Sequence, residues 1–436
     1  MKRISIIFFA LIALVSCNKI SVNDSQNAQY DASKLNFNLD VRMASDTKAV
    51  KTDWARFDKL WIFFEGKTGG YLEMTYDMSG TGAGWGTPSV HGSLTLDATG
   101  ELFAIFLPYW IEGQYPTFSG SSWTFDSRST DSYYLAAKDV AYEITDTEDV
   151  STLSTATTIN MTLPTSGYVQ IFVPDASAAN GTNKISCNAV KPAGIASISS
   201  VGDITENDGT AGDFLTGYVK TISGAKGYYA SGKLVAEPGN DYYFAMEFGE
   251  NYYDYYRHLD TPLASGAAVK LTSKHQVGAG YYVQIGDAEW CTINHAINTT
   301  YYHAVPWQYS GTKFTWPGAD AAAWATKFTS YPLPTGDVIP TRVNFQSLNS
   351  NSNSYWLRVG GVNGRLFVDS TDLTKYLFIP AAPTSGQTPG TEGVLWSCTA
   401  VDGSSSYGLQ VTSSVRQTRG FKNTNQAPVR TVKGAI

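Results

Sequence analysis

Short runs of aromatic and β-branched residues, broken by Gly, Asn, Asp and Ser, recur along this chain from Leu35 onward. That punctuation restricts it to a fold built mainly of strands. Leu35-Asn36-Phe37-Asn38-Leu39-Asp40-Val41 alternates apolar and polar residues, as a half-buried strand does. Leu60-Trp61-Ile62-Phe63-Phe64 is apolar throughout, which suits a sandwich-core strand. Tyr71 to Tyr76, Leu102 to Leu107, Tyr168 to Val173, Tyr228 to Leu234 and Tyr242 to Met246 continue the series. Strands at this spacing predict sandwiches or barrels. One helix is expected, over Asp320 to Phe328, where an alanine-rich stretch follows Pro317-Gly318. With 436 residues, the chain is too long for one compact domain.

The front reads differently. Met1-Lys2-Arg3 precedes a largely apolar run from Ile4 to Val15, and Ser16-Cys17 follows. A basic start, a short apolar core and a small residue before the cut make a secretory signal. The run is too short to span a bilayer as a helix. Cleavage between Ser16 and Cys17 would leave Cys17 as a diacylated N-terminus, and several acyl chains on one residue anchor stably. Asn18 follows the cysteine, with no Asp to retain the protein at an inner membrane. The expected location is therefore the outer membrane or cell surface, held by lipid. Residues 1–16 read as signal peptide and 17–34 as a lipidated polar tether.

Composition excludes several functions. Charged residues are 16% of the chain and the net charge is −7, with no basic stripe, so nucleic acid is not an expected partner. Beyond Cys17, the cysteines are Cys187, Cys291 and Cys398. They form neither a disulfide framework nor a metal motif, and buried free thiols are expected, although Cys291 and Cys398 could pair if the fold brings them together. The five histidines are dispersed without metal-ligand spacing. No nucleophile elbow, phosphate loop or zinc-protease helix is present. No catalytic residue, metal or cofactor is expected, and the chain reads as a non-enzyme. The most prominent surface candidate is Tyr252-Tyr253-Asp254-Tyr255-Tyr256, where Tyr252, Tyr253, Tyr255 and Tyr256 could stack on sugars or a protein ligand. The alternative is an aromatic strand covering a sandwich edge.

Several pieces carry a resemblance. Lys51-Thr52-Asp53-Trp54, Leu60 to Gly66, Tyr71 to Tyr76, Ala104 to Tyr109, Tyr168 to Asp175 and Gly239 to Ala245, in that order, resemble the fimbrillin family of Bacteroidales pilus subunits and surface lipoproteins. From about Val277 onward, Glu289 to Asn294, Ile339 to Leu348, Trp356 to Phe367, Phe378 to Ala382, Leu395 to Thr399 and Val429 to Val432 resemble the Fibrobacter-type major paralogous domain. The departures from that pattern are Leu395 for an aromatic and Cys398 for Ser.

The resemblance implies two tandem fimbrillin-like β-sandwiches, residues 35–157 and 158–275. An α+β domain at 276–436 would follow, loosely similar to C-type lectin and formylglycine-generating enzyme folds. It further implies other fimbrial subunits as partners, and maturation by removal of an N-terminal strand. Leu35 to Val41 would be that strand, with Arg42 or Lys48 as the cleavage point. A neighbour's strand would then add to the open edge. The expected function is a lipid-anchored surface adhesion protein, a fimbrial accessory or tip subunit. The alternative is a non-polymerising glycan-binding lipoprotein. Gly360-Gly361, Asn363-Gly364 and Lys422-Asn423-Thr424-Asn425 are turn-rich and could border a binding face in the last domain.

Overall fold

The structure is a computed structural model that describes residues 28–43, 58–77, 84–107, 115–124, 134–147, 149–155, 159–161, 168–174, 183–192, 195–206, 209–222, 225–235, 239–264, 266–295, 313–318, 321–329, 332–382, 384 and 387–434. It is mainly β, as the punctuated runs predict. In the N-terminal region, an eight-stranded sheet has Thr99–Leu107 between Lys59–Phe64 and Tyr134–Asp146, with Gly70–Asp77 beyond Lys59–Phe64. The unbroken apolar stretch from Leu60 to Phe64 has a direct cause, because both faces of that sheet are covered. Leu60, Ile62 and Phe64 enter one core, with Leu72, Leu102, Phe106 and Leu153. Trp61 and Phe63 enter a second, with Tyr71, Phe103, Ile105, Trp123 and Ile198. A strand buried on both faces loses its alternation.

The second core is closed by a four-stranded sheet of Thr117–Ser119, Ser122–Thr124, Ile195–Ser199 and Ile204–Glu206. The segment 195–206 thus leaves the region expected to form the second sandwich and packs against the first. Ile159–Met161 does the same, pairing in parallel with Val41–Met43. The second region is otherwise one nine-stranded sheet, running from Ala268–Lys270 through Tyr168–Pro174 and Ala225–Leu234 to Asp241–Phe248, Asn251–His258 and His275–Val277. Val169, Ile171, Ile185, Leu215, Tyr242, Phe244 and Met246 form its core.

Among the described residues, the C-terminal region mixes four small sheets with two helices. The expected helix is present as α1, Ala321–Lys327. A second, α2 at Arg342–Ser350, had no counterpart in the sequence reading. Thr341 caps α2: its hydroxyl accepts from the Asn344 amide, and the Asn344 side-chain oxygen accepts from the Thr341 amide at 2.8 Å. Phe345 and Leu348 seat the helix on the core that holds Trp290, Leu377 and Leu409. Cys187, Cys291 and Cys398 are all free, so the last two do not pair.

Candidate functional site

Three places bear on function: the N-terminal segment, the junction that holds the tyrosine run, and a cavity in the C-terminal region. The expected tether enters the fold early. Gln29–Asp31 pairs antiparallel with Thr95–Asp97, the Tyr30 hydroxyl donates to the Asp146 carboxylate at 2.7 Å, and Ala32 is fully buried. The strand expected over Leu35 to Val41 is split in two. Asn36–Asn38 pairs in parallel with Thr152 to Ser154, and Val41–Met43 pairs in parallel with Ile159–Met161. A short 3-10 turn, Ala32–Lys34, is closed by the Leu35 amide on the Ala32 carbonyl and starts the strand late. The period of two still holds: Leu35, Phe37, Leu39 and Val41 all pack on the first core.

The segment is therefore an edge strand with its side chains sunk between Leu94, Leu96, Ile144, Leu153 and Ile159. Arg42, one of the two expected cleavage points, has its backbone in the ladder opposite Asn160. Lys48, Ser16 and Cys17 lie outside the described residues.

The tyrosine run forms the strand Asn251–His258, hydrogen-bonded on both edges to Asp241–Phe248 and His275–Val277. Its side chains alternate between two layers. Tyr253 and Tyr255 pack on the core of the second region. Tyr252 and Tyr256 point the other way, into an apolar layer shared with Leu357, Val359, Leu366 and Phe378 of the C-terminal region. Tyr256 is 6% exposed and its hydroxyl donates to Asp241 at 2.7 Å. Of the four tyrosines offered as a stacking face, one is buried and three are half-buried.

This shared layer is a tight junction. Tyr243 stacks on Phe378 at 5.6 Å, and His275 stacks on Tyr376 at 4.8 Å. Asp254 is sealed inside it, accepting from the Tyr243 hydroxyl at 2.8 Å, with its other carboxylate oxygen unpaired. Burial raises the Asp254 carboxyl to about 7, against a smaller opposing effect of the Tyr243 hydrogen bond. At the rim, Arg358 grips Asp213 through Nε at 3.0 Å and Nη2 at 2.7 Å. The Gly361 amide donates to the Gly212 carbonyl, and the Gly360 amide to the Ser186 hydroxyl. Gly212 sits at φ +86°, and a Cβ there would run into the Arg358 carbonyl oxygen. The Gly360-Gly361 turn, expected to border a binding face, thus docks the two regions.

The cavity lies in the C-terminal region. It encloses about 450 Å³ between α1, the segment after it and Cys398, with Trp324, Phe328, Leu333, Asp337 and Ile339 in its wall. Among the described residues no group of three or more His, Cys, Asp or Glu side chains could hold a metal, and no helix is long and apolar enough to cross a membrane. No family model matches the chain, and no curated relative does. Among solved structures, it is similar to the fimbrial anchor protein Mfa2 from Porphyromonas gingivalis, at 10% identity and a TM-score of 0.23, over 56% of this chain and 95% of that one. A superposition that loose carries no argument about this chain.

Sequence reasoning missed the cavity because its wall comes from three stretches separated in sequence. The only local sign was Cys398, a departure from the resembled pattern.

Proposed function

We propose that this chain is a lipid-anchored surface protein of the fimbrial type. It holds partners by exchange of its N-terminal strand. The observation that carries the reading is the segment from Gln29 to Met43. It pairs in three short pieces rather than one long ladder, while supplying alternate side chains to a core formed by the rest of the sheet. Removing it would bare the edge of Ser151–Thr155 and an apolar groove. An open edge with an empty groove captures an extended strand through backbone hydrogen bonds and side-chain pockets. Cys17 would tie the same end to the membrane, and cleavage at Lys48 or Arg42 would release it.

Adhesion belongs to this reading as holding rather than chemical conversion. The glycan-binding alternative draws no support from Tyr252 to Tyr256, whose rings are engaged in packing.

The test nicks the chain by limited trypsin at its N-terminal end and adds a labelled synthetic peptide of residues 28–43. Exchange of the labelled peptide into the nicked chain is expected. The same peptide carrying Leu35→Asp and Phe37→Asp should fail, since each large apolar side chain contributes roughly 2 kcal/mol when fully buried. Equal uptake of both peptides, or none of either, would end this reading.

A further inference from the structure

The cavity beside α1 combines features that together specify a ligand class. Its volume of about 450 Å³ lies in the range that encloses a small organic molecule. Its wall presents two aromatic rings, Trp324 and Phe328, nearly parallel at 5.7 Å and 22°. Both residues are 2% exposed, and Ile339 is buried beside them. The rings stack on each other, and Leu333, Val338 and Ile339 continue the apolar lining, which favours an apolar guest.

Among the described residues, the wall of the cavity offers no unpaired charge. Asp337 is the one carboxylate among them, and it is already engaged: it accepts from Tyr282 at 2.6 Å, from Thr431 at 2.5 Å and from Lys433 at 2.8 Å. The Cys398 thiol donates to the Ile339 carbonyl at 3.5 Å, and burial holds its pKa up, so it stays neutral. The Thr329 hydroxyl donates to the Thr326 carbonyl at 2.7 Å. A charged guest would be desolvated here without a partner, which is costly.

We infer that this cavity is a binding site for a small, neutral, largely apolar molecule. Strand exchange at the far end of the chain neither requires this site nor is required by it.

The inference is tested with Prodan, a neutral naphthyl ketone whose emission shifts to the blue in apolar surroundings. The chain used begins at residue 18, which keeps every described residue and carries no acyl chain to compete for the dye. The expected result is saturable one-to-one binding with a blue shift. Ala325 is an exposed α1 residue on the rim, and Ala325→Trp should block the mouth and weaken binding about tenfold or more with the thermal midpoint unchanged. A second readout needs no variant. Cys187 and Cys291 are buried whereas Cys398 is only partly so, and alkylation of Cys398 by N-ethylmaleimide, followed by peptide mass mapping, should slow when Prodan saturates the site. A titration that never saturates, an Ala325→Trp chain that binds like the wild type, or Cys398 alkylation indifferent to the dye would overturn the assignment.

Discussion

Asp254 shows how one buried group can tie stability to pH. Its carboxyl titrates near 7 in the folded chain, against 3.8 for the ordinary side chain, because burial penalises the charged form. The folded state therefore holds a proton that the unfolded state has already lost between those values. The contribution of this one group to stability is greatest in acid, falls as the pH climbs from about 4 to about 7 with a slope of about 1.4 kcal/mol per pH unit, and is level above that. Tyr376, whose hydroxyl donates to the Asp254 backbone carbonyl at 3.3 Å, is raised well above its usual range by burial and stays neutral across the window. His275, stacked on Tyr376, is held below its usual range by burial and adds a shallower dependence of the opposite sense near neutrality. Asp254→Asn should remove the main slope and leave the acid-side stability close to that of the parent, measured by urea unfolding at stepped pH. A slope that survives the substitution would assign the effect to other groups. The sequence placed Asp254 correctly within an aromatic strand. What it could not reveal was the second layer that seals it, because Leu357 and Phe378 arrive from a hundred residues or more downstream.

At the level of single elements, local pattern was a good guide to a strand's buried faces even where its partner lay far away in sequence. The continuous run at Leu60 to Phe64, read as a sandwich-core strand, is buried on both faces, and the alternation at Leu35 to Val41, read as one half-buried strand, keeps its period although the ladder divides in two. The alanine-rich helix was found within a residue at each described end. Helix α2 escaped because most of its nine residues are polar and only Val343, Phe345 and Leu348 are apolar, too few to establish a period. Its signal lay one residue upstream, in Thr341 with Asn344 three positions on. Thr341→Ala should cost about 1 kcal/mol, and Thr341→Ser much less, both read from the denaturation midpoint. The Thr399 hydroxyl accepts from the Arg342 amide at 2.9 Å and keeps one helix-end donor satisfied in either variant. Equal stability of parent and alanine variant would show that this second cap suffices.

For the whole molecule, the sheet systems along the chain interlock more than a string of separate modules would. Segment 195–206 closes a core of the first region, and strand 159–161 pairs with the N-terminal segment. Neither exchange leaves a local trace, since a long-range partner does not alter the hydrophobic period of a strand. The junction between second and third regions buries Tyr243, Ala245, Tyr256 and Val277 against Leu357, Val359, Leu366 and Val368. These two regions are expected to unfold as one calorimetric transition. Val359 is fully buried there, so Val359→Asp should split that transition or lower it by at least about 2 kcal/mol, through an unpaired buried carboxylate. Two separate transitions in the parent chain would contradict that coupling.

The clasp of Arg358 on Asp213, with glycines on either side drawn close enough for their backbones to bond, has a mechanical corollary. Where regions are joined by slack linker, a tug at one end is absorbed before the other end feels it. Here no slack separates the distal region from the middle one, so tension would pass through as if along a strut, and a load on the distal region would reach the middle one at a fixed heading.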